Sequence, residues 1–283
     1  MRGLFLTSFV ALSLATANAS FAEVCRFAGA TEPAGHIAVT ADIASTSGTT
    51  RVDVAVNFET TSVFWVHIRY LVEEVSIWRA GELETVGVNT RYLVGDHIVR
   101  QLWDLFRRER DAMRAYRVQG KTLVDFRRRH PDFLRHWDPS TFSQPWLDDY
   151  PSASPERSPD LDLMNSPLPP KLFSPLALAF YWVRWLPPGE NDVSVFLPGF
   201  KANKMVNMRL TAGTWTGGTV WGAPLRFPAL SKTPMSTATA WMSFDGRLLQ
   251  LAGELHEPRG TASGLIMQEG CEGPPVVPLK APG

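Results

Sequence analysis

HIAVTADI at residues 36–43, RVDVAVNF at 51–58 and FWVHIRY at 64–70 decide the fold. In each, apolar side chains fall on every second residue: Ile37, Val39, Ala41 and Ile43, then Val52, Val54, Val56 and Phe58, then Phe64, Val66, Ile68 and Tyr70. A spacing of two places them on one face of an extended strand, whereas an amphipathic helix needs spacings of three and four. Further strands follow in both directions, broken by turn signals. Arg79-Ala80-Gly81-Glu82 follows Ile77-Trp78, and Gly95-Asp96 separates residues 92–94 from 98–102. Strands joined by such short turns form an antiparallel meander.

The pattern stops between residues 127 and 173, where prolines crowd the chain and alternation is lost. Proline cannot donate to a strand ladder, so this stretch is expected to be an irregular insertion. Its interspersed Phe133, Trp137, Phe142, Trp146 and Leu147 suggest that the first half packs down as a cover. Ser174-Pro175 then reads as an N-cap and first helical residue, opening a helix candidate, LALAFYWVRW at 176–185. A helix apolar nearly all round is buried. Strands resume at 193–197, 205–210, 237–244, 248–255 and 264–267, with Asp245-Gly246 as the clearest hairpin turn. The expected architecture is mainly β: a long curved antiparallel sheet, half-barrel-like, with one buried helix and the proline-rich insertion.

The ends of the chain speak to its location. Arg2, the apolar run at 4–15 and Ala17-Asn18-Ala19 have the order of a secretory signal peptide, with a cut after Ala19 or after Ala22. That predicts a periplasmic or secreted protein with a single β-rich domain over 23–270 and a flexible tail over 272–283. No later segment is long and apolar enough to cross a bilayer as a helix; the nearest is short and carries Arg184. Cys25 and Cys271 are the two cysteines, one near each end. In an oxidising compartment they are expected to pair, which contributes roughly 4 to 5 kcal/mol in the chain-entropy model. The alternative, a lipid-modified Cys25, lacks small residues at Glu23-Val24.

With 28 basic and 28 acidic residues, no net field attracts nucleic acid, and nucleic acid is not an expected partner. AYRVQGKT at 115–122 satisfies a relaxed phosphate-loop pattern, but Tyr116, Arg117 and Val118 are too bulky for backbone amides to surround a phosphate. Hydrolase signatures such as G-x-S-x-G and H-E-x-x-H are absent from the sequence. The densest polar cluster, His130, Asp132, His136 and Asp138, could form an acid-base pair. Its spacing matches no zinc signature, and Pro131 opposes a helix that would present both imidazoles together. No metal and no cofactor are expected. Arg184, inside the aromatic run, must find either an internal carboxylate or an acidic ligand head group.

The second half resembles a group of uncharacterised exported bacterial proteins. The likeness rests on SPLALAFYWVR at 174–184, the hairpin around 195–201 and WMSFDGRL at 241–248. In outline that group is similar to the periplasmic lipoprotein carriers, in which a curved sheet forms a half-barrel around an apolar cavity. The resemblance implies a helix against the concave face and a lipid or lipid-linked ligand. Phe180, Tyr181, Trp182, Arg184 and Trp185, with Trp137 and Trp146 from the insertion, are the expected ligand contacts. Three functional readings follow: a non-catalytic carrier that shelters an apolar or amphiphilic ligand, an envelope hydrolase or lyase using the histidine-aspartate cluster, and a structural or carbohydrate-binding partner of envelope proteins.

Overall fold

The computed structural model describes residues 21–32, 34–46, 48–61, 67–94, 97–110, 112–118, 156–157, 162–164, 168–169, 171–197, 204–212, 220–228, 235–243, 246–257 and 260–278. Strands β1 (Phe21–Glu32), β2 (Gly35–Thr46), β3 (Thr49–Thr61), β4 (His67–Arg79), β5 (Glu82–Val94), β6 (His97–Glu109) and β7 (Ala112–Val118) form a meander. Each pairs antiparallel with the next. The later strands are β11 (Gly189–Leu197), β12 (Lys204–Ala212), β13 (Val220–Pro228), β14 (Met235–Ser243), β15 (Leu248–Glu257) and β16 (Gly260–Glu272). They continue the same sheet, and β16 lies beside β1. The first and last strands therefore meet inside the sheet, and its open edges fall at the middle of the sequence. Cys25 stands opposite Cys271 across that seam, and the two form a disulfide.

The mainly β half-barrel is the architecture the alternation predicts, with some local departures. β1 and β13 carry no clear period-two signal in the sequence, and β1 gains its place from pairing on both sides. The phosphate-loop match falls partly on β7, an ordinary antiparallel strand. The turn at Ala80-Gly81 has both residues at positive φ, as a tight hairpin requires. Phe64, Val66, Gly95, Asp96 and Asp245 lie outside the described residues.

Most of the expected insertion, 127–173, also lies outside them, but its described parts contribute sheet. β8 (Glu156–Arg157) and β9 (Leu163–Met164) pair with β7, and β10 (Leu172–Phe173) adds a parallel pair to β11. The physical reason is the unpaired edge: backbone groups at the rim of a sheet need partners. Asp162 supplies one directly, accepting from the Ala115 N–H at 2.7 Å while its other oxygen takes Arg114 at 3.0 Å.

The helix also differs from expectation. α1 (Pro175–Phe180) ends early, Tyr181 leaves the helical region, and Trp182–Trp185 form a single 3-10 turn. Bulky aromatic and β-branched residues crowd a continued helix, and the tighter turn instead sends each ring into its own slot. Ser174 occupies the N-cap position, but its side chain does not cap. The capping acceptor is Glu74 on β4, which takes the Leu176 N–H at 3.3 Å and the Ala177 N–H at 3.0 Å. The Ser174 hydroxyl lies 2.6 Å from that of Ser76, which donates to Glu74. A fully buried carboxylate thus answers the free donors of the helix start. Burial pushes its pKa up despite those bonds.

The turn delivers Arg184 to a second buried acid. Its Nη1 and Nη2 donate to the two oxygens of Glu23 on β1 at 2.9 and 3.0 Å, and both side chains are at most 1% exposed. Val276 N–H donates to the same carboxylate at 3.1 Å, so the tail, expected to be flexible from 272, is held at least as far as Val276, itself buried. Arg247 reaches the same corner, with Nε 3.9 Å from Glu23 and Nη2 donating to the Gly273 carbonyl at 2.6 Å. Trp185 packs on Gly246, whose φ of +82° favours glycine and where a Cβ would lie 3.3 Å from the ring.

Removing one member of such a pair leaves a buried charge unmatched, a cost of about 3–5 kcal/mol. Arg184→Met is therefore expected to lower the urea midpoint sharply, and the double variant Glu23→Gln/Arg184→Met to recover much of the loss. The outer face of the same sheet carries a second electrostatic load. Asp42 stands opposite Asp53, and Glu73 sits buried beside Asn89 and Arg91. Burial raises Asp53 to about 6, against the pull of Arg51, and Glu73 to about 8, against that of Arg91. An acid with a raised folded-state pKa binds its proton more tightly folded than unfolded, so its contribution is full below pH 4 and is lost as pH rises through 6 and 8. Urea midpoints are expected to fall between pH 5 and pH 8.5, and Glu73→Gln should flatten the upper part of that decline by about 1–2 kcal/mol.

Candidate functional site

Strand register sorts the concave face into rows that cross the sheet. The row Ile43, Val52, Ser76, Val86, Phe106 and Ala115 is fully buried, as is the next, Ala41, Val54, Glu74, Val88 and Asp104. α1 and the 3-10 turn fill the space above them. Phe180 packs on Phe27 with ring centroids 5.4 Å apart, and Trp182 meets Trp78 at 5.1 Å. The sheet curls so far that Phe106 on β6 touches Phe196 on β11, at 4.3 Å. This is the deep half of the half-barrel, plugged by the chain itself.

Burial falls away along the strands toward the other end. In the next row Val39 is still buried, but Val56, Val72 and Thr90 are only half-buried. Beyond it Ile37, Phe58, Tyr70 and Tyr92 stand directly opposite one another on β2 to β5, all half-buried. Leu176 and Ala179 from α1, with Ala238 and Leu251 from β14 and β15, join this zone as partly buried apolar groups packed on the core. Gly253 faces Gly264 across β15 and β16, and Gly264 faces Thr31 on β1, so this wall projects little side-chain bulk. Gly35 also matters here: a Cβ there would lie 2.7 Å from the Phe58 ring. The result is a surface with one aromatic wall, whose row the register continues to Arg100 on β6 opposite Tyr92, and one nearly bare wall.

The sequence-derived contacts are placed differently. Phe180, Tyr181 and Trp182 are buried in the deep half, where they build the plug and not the surface of the open half. Trp185 is partly buried over the β14–β15 turn. Arg184, for which an internal carboxylate and a ligand head group were both open, is paired with Glu23 and stacked over Tyr181 and Trp185 at 5.1 and 5.7 Å. Burial pushes the Tyr181 phenol further up, which keeps it neutral. The physical reason for this placement is size: large rings win the deepest slots because they remove the most apolar area from water. Trp137, Trp146, His130, Asp132, His136 and Asp138 lie outside the described residues. Of the other histidines, His36 and His67 are exposed, and His67 lies 3.6 Å from Glu59 on the outer face.

Sequence reasoning missed Phe58, Tyr70 and Tyr92 as a group. Phe58 and Tyr70 were visible as members of alternating runs, and the signal that unites them is register, which brings residues 12 and 22 positions apart into one row. Burial raises the pKa of the Tyr70 phenol, with the Thr90 hydroxyl opposing the shift. Two open depressions lie on the outer face. One is bounded by Ala30, Ala252 and Leu265 with Glu32 and Glu254, about 890 Å³; the other lies over β11 and β12, about 1170 Å³, and is polar, with Arg209 bridging Glu190 and Asp192. Among the described residues the grouping closest to a metal-ligand set is Glu23 with Cys25 and Cys271, and its sulfurs are already joined. No helix among the described residues is long and apolar enough to cross a membrane.

No family model and no curated protein matches the chain. Among solved structures it is similar to the crystal structure of a β-barrel-like protein of domain of unknown function DUF1849 from Brucella abortus. The TM-score is 0.55 at 8% sequence identity, over 90% of this chain and 98% of that one. At that identity the likeness concerns the fold, and it supports a barrel-like architecture of an uncharacterised kind.

Proposed function

We propose that this is a non-catalytic protein of the bacterial periplasm that shelters an apolar or amphiphilic, lipid-like ligand in the open half of its half-barrel. The single observation behind this reading is the gradient of burial along the concave face. The deep half is closed by the chain's own aromatic plug, while Ile37, Phe58, Tyr70, Val72, Tyr92 and Leu251 stay half-buried although they face inward. Contiguous apolar surface left partly in water is costly to a monomer and commonly marks a binding site. Export, inferred from the leader-like N-terminus, puts the protein where lipids must cross an aqueous space. The likeness to lipoprotein carriers fits the same role, with other envelope proteins as donors or acceptors of the ligand.

The test uses N-phenyl-1-naphthylamine, an uncharged probe that fluoresces in apolar surroundings. Saturable, stoichiometric binding is expected. Ala238→Trp, which places bulk in the open half, should weaken it roughly tenfold, ~1.4 kcal/mol, without lowering the unfolding midpoint by a comparable amount. Absence of saturable binding by the unmodified protein, together with no co-purifying ligand in native mass spectrometry of periplasmic material, would overturn the reading.

A further inference from the structure

Strand register extends the aromatic row beyond Tyr92 to a fixed charge. Ile37, Phe58, Tyr70 and Tyr92 stand in line on β2 to β5, and the next position across, on β6, is Arg100. In the other direction the row runs through Gly29, Ile266, Leu251 and Ala240 on β1, β16, β15 and β14. One step farther from the plug, the next inward row is Thr31, Gly35, Thr60, Ile68, Val94 and His97. His97 and Arg100 would fall on opposite faces of a regular strand, but the register slips by one residue opposite Tyr92 and Leu93, and this bulge returns both to the same face. β6 therefore ends each row with a basic residue.

Among the described residues neither row, from β14 round to β6, carries a carboxylate. The inward acids Glu23, Glu74 and Asp104 belong to the deep half, where Glu23 holds Arg184 and Glu74 takes two backbone N–H groups and the Ser76 hydroxyl. Arg184 cannot serve a ligand, because Glu23 takes both of its outer nitrogens. The outer-face charges nearest the open half, His36, Glu59 and Arg69, occupy positions of opposite parity. An arginine keeps its charge at any physiological pH, and its planar fork matches a carboxylate or a phosphate with two parallel bonds. From Ile37 on β2 to Arg100 on β6 the row crosses four inter-strand steps, roughly 19 Å along the curved face at about 4.8 Å each, which is the reach of a long acyl chain.

We propose that the open half selects anionic amphiphiles: hydrocarbon lies across the row of Ile37, Phe58, Tyr70 and Tyr92, and a carboxylate or phosphate head group ends at Arg100. This rests on the sheltering function proposed above and adds the class of ligand and its direction in the site. A cationic head group would meet a like charge at that end of the row, and a neutral one would gain no ion pair there.

Displacement of bound N-phenyl-1-naphthylamine tests it, using dodecanoate, dodecyl phosphate, 1-dodecanol and dodecyltrimethylammonium at pH 7.5, each below its critical micelle concentration. At least one of the two anions is expected to displace the probe at a concentration roughly tenfold or more below those of the alcohol and the cation, and the better of the two identifies the head group. Arg100→Gln should weaken that anion by roughly tenfold or more, the range of a lost charge-assisted contact, and leave dodecanol and the uncharged probe unchanged. Arg100→Lys, which keeps the charge, should restore part of the preference. These readouts separate a contact to the head group from a packing role, which would move all four ligands and the probe together. Anions that compete no better than dodecanol would overturn the selectivity while leaving the sheltering role intact, and that comparison needs only the unmodified protein. An Arg100→Gln protein that keeps the full preference for the anion would overturn the assignment to Arg100. A probe that does not bind at all removes the sheltering role and the selectivity with it.

Discussion

The buried contact between Glu23 and Arg184 is the constraint on which the rest of this architecture depends. Glu23 lies in the first strand and Arg184 in the turn after the only α-helix among the described residues, 161 positions away. The same carboxylate takes the backbone of Val276 near the C-terminus and lies within 3.9 Å of Arg247 beyond the β14 turn. Four parts of the chain are tied at one point that water does not reach. Its energetic worth is not the sum of its bonds, because desolvating both charges offsets most of the attraction. What it confers is position: other arrangements of the plug would leave a guanidinium or a carboxylate buried alone.

Fixing the plug at that end determines where the interior is full and where it is not. The 3-10 turn and α1 are anchored at one end by Glu23 and at the other by Glu74, so the aromatic rings between them occupy the deep half and cannot slide along the sheet. The strands are longer than the plug, and β2 to β5 run twelve or thirteen residues each. The rows beyond the plug therefore remain half-covered. The half-covered surface is in this sense a remainder, set by the difference in length between strand and helix. The disulfide across β1 and β16 closes the seam next to the same anchor and holds these two strands together in the middle of the sheet.

Two of the three sequence motifs that carried the family likeness find a physical explanation in this corner. The helix motif supplies Arg184, with Trp185 next to it, and WMSFDGRL supplies Gly246 and Arg247. They meet where Trp185 lies over Gly246 and both arginines turn toward Glu23. In the structure these aromatic and cationic residues hold the fold together at this corner. The outer face of β2 to β5 shows a comparable economy, with Asp53 and Glu73 buried and biased toward their neutral forms.

The sequence by itself determined the strands, because period-two alternation is a local property that each segment displays alone, as at Val52, Val54, Val56 and Phe58. It also led to the expectation that the two cysteines pair and that Arg184 needs an acid. What it left open was pairing across long separations. Nothing near Glu23 marks it as the partner of Arg184, and nothing in Phe58, Tyr70 and Tyr92 taken singly marks them as one row of the concave face. β1 escaped notice because Glu23, Cys25 and Phe27 form an alternation whose inward face includes a charge, and only tertiary structure makes a charge acceptable there. Register and the reach of the plug decided which inward residues are core and which are surface, since burial depends on what arrives from elsewhere in the chain.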